Sequence, residues 1–171
     1  DSKIFIQLTP GLGRVGAPLC LVNEKKFPVS ASWNKNFYIP AIPCVRLSDR
    51  KLNRIIKNGA QAALDAQCQG IDGVYLHGHE GYLLEQLTNP AFNRRKLGKY
   101  ADPYRFGVDL VKEIREKVGP HYPIMYRIDL SLALNETYQN IKNMPTLRKF
   151  VNGRTISDTL EFMKALVEAG V

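Results

Sequence analysis

Cysteine is scarce in this sequence, and long apolar runs are missing. The three cysteines, Cys20, Cys44 and Cys68, lie far apart and form no CxxC pair, which argues against a disulfide framework or a zinc site and favours a reducing compartment. No apolar run approaches the ~20 residues that a membrane span needs, and the first residues lack the features of a signal peptide. The sequence therefore predicts a cytoplasmic protein with no membrane partner and no metal site.

Basic residues outnumber acidic residues, 24 to 16, but they are spread along the chain. Aromatic and basic residues do not interleave, and neither zinc-finger spacing nor an RNP-type strand is present, so we expect no nucleic-acid partner. The tightest basic cluster is Arg94-Arg95-Lys96, which we interpret as a solvated surface loop.

Three short runs rich in β-branched and aromatic residues predict strands that are covered on both faces. They are residues 3–8, 73–77 and 123–128. Three amphipathic segments predict helices, with Ser48, Asp102 and Thr155 as the N-cap residues. Their predicted apolar stripes are Leu52, Ile55, Ile56, Ala63 and Ala66, then Phe106, Leu110, Val111, Ile114 and Val118, and finally Ile156, Leu160, Met163, Leu166 and Val167.

The alternation of strands and helices predicts an α/β fold with a parallel sheet. Periodicity alone leaves a closed barrel and an open doubly wound sheet as alternatives. Residues 11–16 match the nucleotide-binding pattern GxGxxG. We discount this match, because residues 17–43 contain four prolines and are typical of a long loop or lid rather than of a helix.

Polar residues stand near the carboxyl ends of all three predicted strands: Gln7, His77 and Arg127. In parallel α/β folds, ligands bind at that end of the sheet. An amide, an imidazole and a fixed cation together suit a planar, carbonyl-rich ligand that accepts electrons.

Residues 70–86 resemble the fourth-strand motif of the old yellow enzyme family, G-x-D-G-V-x-I-H-x-A-[HN]-G-Y-L-x-x-Q-F. This family includes NADH:flavin oxidoreductases, 2,4-dienoyl-CoA reductases and 2-enoate reductases. Residues 5–8 with Gly13-Arg14 resemble its third-strand motif, and residues 125–128 resemble its fifth-strand motif. The resemblance implies a parallel (β/α)₈ TIM barrel, of which residues 1–171 are a partial flavin-binding catalytic domain. This middle segment would hold about strands three to five with their helices and would be truncated at both ends.

The same resemblance implies an FMN-dependent oxidoreductase of the ene-reductase type. Electrons would pass from NAD(P)H through flavin N5 to an α,β-unsaturated carbonyl substrate. Gln7 would bind the pyrimidine edge of the flavin, and Arg127 would lie near its N1 and O2 atoms. His77 would hold the carbonyl oxygen of the substrate, and Tyr82 would be the proton donor.

Glu80 departs from the family pattern, because it occupies the place of the second carbonyl-binding residue, usually Asn or His. An ionised carboxylate would repel a developing oxyanion, so Glu80 helps catalysis only if burial protonates it or if the substrate is cationic or hydroxylated. His79 could supply the missing donor. The motif also implies that Arg95 holds the loop after the fourth strand by ion pairing. The alternatives are an amine-type dehydrogenase of the same fold and a non-catalytic barrel that acts as a binding subunit.

The partners that the resemblance implies are a small-molecule substrate and the remainder of the protein's own barrel, and a homo-oligomer is compatible with it. Larger family members also carry a [4Fe–4S] cluster and FAD, although this segment contains no cysteine motif for a cluster. We expect the isolated segment to be inactive.

Overall fold

The computed structural model describes residues 2–17, 21, 23, 25–129 and 153–171. Six strands and four α-helices are described in these ranges. In chain order they are β1 (Phe5–Leu8), β2 (Val29–Ser30), β3 (Asn34–Lys35), β4 (Pro43–Arg46), α1 (Asp49–Cys68), β5 (Gly73–Gly78), α2 (Leu83–Thr88), α3 (Arg105–Val118), β6 (Ile124–Ile128) and α4 (Ile156–Ala169).

The main sheet has the order β1-β5-β6, and both of its strand pairs are parallel. Gln7 is paired with Tyr75 and His77 with Arg127. Since His77 follows Tyr75 by two residues, their side chains point to the same face. The register therefore brings Gln7, His77 and Arg127 onto one face of the sheet, and it confirms the predicted parallel α/β fold.

The opposite face of the sheet packs against α1 and α3 through an apolar core. Its buried members include Leu52, Ile56, Ala63, Val74, Leu76, Phe106, Leu110, Val111 and Ile114. The predicted helix starts are confirmed at Ser48, whose hydroxyl accepts a hydrogen bond from the Lys51 amide at 3.3 Å, and at Thr155, which forms a capping box with Asp158. These bonds satisfy amides that the first turn of a helix leaves unpaired.

The prediction that Asp102 is the N-cap residue of α3 is wrong by two residues, because Tyr104 occupies that position. The helix begins at Arg105, and Asp102 accepts a hydrogen bond from the Tyr104 amide at 2.8 Å instead of capping the helix. Asp102 follows a 3₁₀ turn at Lys99–Ala101. Its side chain is thus used within the turn that leads into the helix.

The predicted apolar stripe of α4 is also largely wrong. Phe162 and Leu166 are buried, but Ile156, Leu160, Met163 and Val167 are 43–65% exposed. The helix has two apolar sides, and only the one that carries Phe162 packs against the rest of the described chain.

Part of the predicted loop at residues 17–43 is regular structure. Leu21 and Asn23 have helical backbone, and β2 pairs in parallel with β4, which also pairs antiparallel with β3. The structure therefore corrects the prediction of a continuous loop. Pro28 directly precedes β2, and Pro43 is the first residue of β4.

Arg95 joins this small sheet to α1. Its buried guanidinium donates to the Ala31 carbonyl at 2.8 Å, to the Leu47 carbonyl, and to Asp49 Oδ1 at 2.8 Å. The interpretation of residues 94–96 as a solvated loop is therefore wrong for Arg95. The ion pairing implied by the family motif is confirmed.

Candidate active site

His77 is buried at the centre of the polar face, although its strand neighbour Arg127 is exposed. Its ring centroid lies 4.8 Å from that of Tyr82. Neither ring nitrogen has a hydrogen-bond partner among the described residues. Burial lowers the pKa of His77, an effect that Glu80 opposes and that Arg127 and His79 reinforce. The lowered pKa favours the neutral imidazole, and its two buried nitrogens lack a hydrogen-bond partner among the described residues.

Glu80 lies among three basic side chains. Its Oε1 atom is 3.3 Å from Arg127 Nη2 and 3.3 Å from His79 Nδ1, and its Oε2 atom is 3.9 Å from His77 Nε2. The Glu80 side chain is 49% exposed. His79 also faces Asp129, with 3.8 Å between Nε2 and Oδ1. Both nitrogens of His79 therefore lie near carboxylates.

The backbone at Glu80 is left-handed, with φ at +60°, which is uncommon for a residue with a side chain. The next residue, Gly81, is fixed from both sides. Its amide donates to Glu85 Oε2 at 2.5 Å, and its carbonyl accepts from Gln86 Nε2 at 2.5 Å. This Gly81 clamp, formed by Glu85 and Gln86, holds the turn that carries both Glu80 and Tyr82.

Glu85 is fully buried in the first turn of α2. Burial raises the pKa of its carboxyl group and Asp129 adds to the rise, whereas hydrogen bonds from Gly81 and Asn89 and the charge of Arg154 oppose it. The hydrogen bonds that Glu85 accepts hold its carboxyl group in place, and they also fix the turn.

Close packing against Gln86 accounts for the glycine-rich residues 11–16 that match the nucleotide-binding pattern. The Gln86 Oε1 atom accepts from the Arg14 amide at 3.2 Å and from the Ser30 hydroxyl at 2.7 Å. At Gly13, which has φ at +60°, a Cβ atom would lie 2.5 Å from Gln86 Nε2. Gly13 is therefore needed for close packing against Gln86.

A cavity of about 370 Å³ opens beside Tyr82 and Glu80. Its lining also includes Arg14, Val15, Phe37, Gly81, Glu85, Phe92 and Asp129. The Arg14 guanidinium lies 5.6 Å from the Phe37 ring centroid and 5.4 Å from that of Phe92. The cavity thus combines an aromatic wall, one cation and three carboxyl groups.

Four residues of this site have no role in the sequence predictions: Arg14, Glu85, Gln86 and Asp129. Arg14 and Gln86 belong to the quoted motifs and could have been chosen from them. Glu85 and Asp129 give no sequence signal, because their contacts depend on the packing of distant segments.

Residues 1–166 match the sequence model of the NADH:flavin oxidoreductase / NADH oxidase family. The chain belongs to this family, that of old yellow enzyme. It is 31% identical over 173 residues to a cinnamate reductase of Clostridium sporogenes, a match that covers 99% of this chain and 25% of the relative. It is 32% identical over 175 residues to an NADH oxidase of Thermoanaerobacter brockii, covering 99% of this chain and 24% of the relative.

Solved structures agree on the fold of this old yellow enzyme family member. A structure of morphinone reductase superposes with a TM-score of 0.69 and 20% identity, covering 94% of this chain and 43% of that chain. Such neighbours are TIM-barrel enzymes. The chain spans about a quarter of the length of the two curated relatives.

The family implies a flavin cofactor, and the described residues fit one. Gln7 and Arg127 expose their side chains on the face where both nitrogens of His77 are unpaired. The exposed Gln7 amide and Arg127 guanidinium can meet the carbonyl-rich edge of a flavin. Among the described residues, no group of three or more ligating side chains could hold a metal ion, and none of their helices has the length and apolarity of a membrane span.

Proposed function

We propose that the protein is an FMN-dependent ene-reductase that uses NAD(P)H to reduce the activated C=C bond of an α,β-unsaturated carbonyl compound. The observation that carries the proposal is the shared face of Gln7, His77 and Arg127 next to the Tyr82 ring, in a chain of the old yellow enzyme family. When bound, FMN would supply the two-electron hydride chemistry that links NAD(P)H to the C=C bond of the substrate.

Each side chain has a separate task. Gln7 offers an amide donor and acceptor to the pyrimidine edge of the cofactor, and Arg127 offers a fixed positive charge near N1 and O2. His77 donates a hydrogen bond to the carbonyl oxygen of the substrate, where negative charge develops. The Tyr82 hydroxyl donates a proton to the α-carbon.

Residues 1–171 would supply about the third to fifth strand–helix units of a barrel that the remainder of the protein completes. Exposed apolar side chains support this proposal: Ile6 on the edge strand β1, Met125 on the polar face of the sheet, and Ile156, Leu160, Met163 and Val167 on α4. In TIM barrels the phosphate site often lies in the loops after strands seven and eight, outside these units. We therefore expect the chain alone to bind FMN weakly and to be inactive. Cytoplasmic location and self-association stay predictions.

An amine-type dehydrogenase is the second candidate, because the carboxyl groups of Glu80, Glu85 and Asp129 line one cavity. Carboxylates in a cleft attract a cationic substrate. This cavity therefore suits the ammonium group of an amine.

Two anaerobic half-reactions on the intact holoprotein distinguish the candidates. In one, flavin reduced by NAD(P)H is mixed with 2-cyclohexenone, and in the other, oxidised flavin is mixed with trimethylamine. Reoxidation by the enone supports the ene-reductase, and bleaching by the amine supports the dehydrogenase. Failure of both would contradict both candidates and favour a non-catalytic barrel.

A further inference from the structure

The ion pair between Glu80 and Arg127 joins two residues for which the proposed function has different tasks. Arg127 would face the cofactor, whereas Glu80 stands where the carbonyl group of the substrate would be held. Arg127 Nη2 nevertheless lies 3.3 Å from Glu80 Oε1. We propose that Glu80 is a charge-balancing residue that offsets the charge of Arg127 and thereby lowers the reduction potential of bound FMN. This inference rests on the proposed function.

The position of Glu80 is enforced by its surroundings. Its backbone has φ at +60°, and the Gly81 clamp fixes the following peptide. A left-handed residue with a side chain persists only where neighbouring contacts hold it. The strained turn thus directs a carboxylate toward Arg127.

The other carboxyl groups of the cavity have different partners. Glu85 is buried and accepts hydrogen bonds from the Gly81 amide and Asn89, whereas Asp129 faces His79. Among the described residues, Glu80 is the carboxylate within ion-pairing distance of Arg127. Glu80 is therefore the residue whose charge acts most directly on Arg127.

Charges near N1 of a flavin tune its electronic properties. Reduction adds negative charge to the flavin ring system, and the positive charge of Arg127 stabilises it. A carboxylate 3.3 Å from the guanidinium cancels part of that stabilisation. The reduced cofactor then becomes a stronger reductant, which suits substrates whose C=C bonds are weakly activated.

A spectroelectrochemical titration of the intact holoprotein tests the inference. Glu80→Gln removes the charge but keeps the shape, and we expect it to shift the equilibrium at least tenfold toward reduced FMN, an upward shift of about 30 mV for a two-electron couple. Asn tolerates a left-handed backbone, so we expect Glu80→Asn to fold and to give an upward shift in potential too. The test then does not depend on the folding of one variant. Glu80→Asp keeps the charge and should stay near the wild-type potential.

Glu116→Gln is the matched control, since it removes the same charge from an exposed position on α3 and should leave the potential unchanged. Bound FMN with the same potential in wild type, Glu80→Gln and Glu80→Asn would overturn the inference and leave the proposed function standing. A lower potential in both variants would also overturn it. A wild-type protein that holds no FMN would overturn the proposed function and this inference with it.

Discussion

The rings of His77 and Tyr82 lie 4.8 Å apart between centroids, with an interplanar angle of 46°. His77 is the penultimate residue of the central strand of the sheet, and Tyr82 is the N-cap residue of α2. The turn between them is held by the Gly81 clamp. Local hydrogen bonds therefore fix His77, which is proposed to hold the carbonyl oxygen, relative to Tyr82, the proposed proton donor.

Replacing Tyr82 by Phe should separate the two halves of the reaction. The ring contact with His77 is kept and the hydroxyl is lost, so reoxidation of reduced flavin by an enone should slow by about 10²–10⁴-fold, the usual contribution of a general acid. Reduction by NAD(P)H should be unchanged. Anaerobic stopped-flow measurements follow both steps, and an unaltered reoxidation rate would exclude Tyr82 as the proton donor.

Arg95 should be essential for stability rather than for chemistry. Its side chain is buried, and it joins the Ala31 and Leu47 carbonyls to Asp49. Leaving a buried carbonyl without its hydrogen-bond partner costs about 1–3 kcal/mol, whereas the Asp49 side chain is 31% exposed and can be hydrated. Arg95→Met should therefore lower the free energy of unfolding of the intact protein by at least about 1–3 kcal/mol. Urea denaturation measures it, with the exposed Lys96→Ala as control. Equal stability of the two variants would contradict the anchoring role.

Gly13→Ala should be more destabilising than its backbone conformation alone explains. A left-handed residue costs about 1–2 kcal/mol, and here the new Cβ would also meet the Gln86 side chain at 2.5 Å. Gly70→Ala is the control, because Gly70 has φ at +79° and nothing within 4 Å of its Cβ position. In a Gln86→Ala background the extra cost at Gly13 should disappear. A double-mutant cycle by urea denaturation measures this, and additive effects would refute the contact.

The buried Glu85 should make stability depend on pH. Its pKa in the folded protein is raised above the reference value of 4.5, chiefly by burial, so the folded state holds the proton more tightly than the unfolded state. The stabilising contribution is complete below the unfolded pKa and is lost as pH rises through the folded pKa. Relative to Glu85→Gln, the wild type should therefore lose stability as pH rises above about 4.5. Urea denaturation across this range measures the difference, and a difference independent of pH would contradict the raised pKa.

The main sheet could be predicted closely from the sequence. The predicted strands at residues 73–77 and 123–128 differ from β5 and β6 by one residue each. Runs of β-branched and aromatic residues mark these strands in the sequence. The prediction that all three are covered on both faces is confirmed for β5 alone, since β1 and β6 each have two exposed residues. The apolar stripe of α3 was also predicted correctly, because its helical spacing is visible in the sequence. All five of its residues are buried in one core.

The missed elements depend on contacts between distant residues. In α2 all six residues are buried, including Glu85, Gln86 and Thr88, so no alternation of polar and apolar residues marks it as a helix. Strands β2 and β3 have two residues each. The buried Arg95 is paired with Asp49, 46 residues away. Side chains whose partners lie so far along the chain have no local sequence signal.

The flavin site is tested most directly by a visible absorption spectrum. It is recorded on the purified intact protein after incubation with FMN and desalting. We expect oxidised-flavin bands that remain with the protein and bleach when NAD(P)H is added without oxygen. Weaker retention in Gln7→Ala and Arg127→Ala would assign the cofactor to the polar face of the sheet. A wild-type protein that retains no flavin would contradict the assignment of a flavin site.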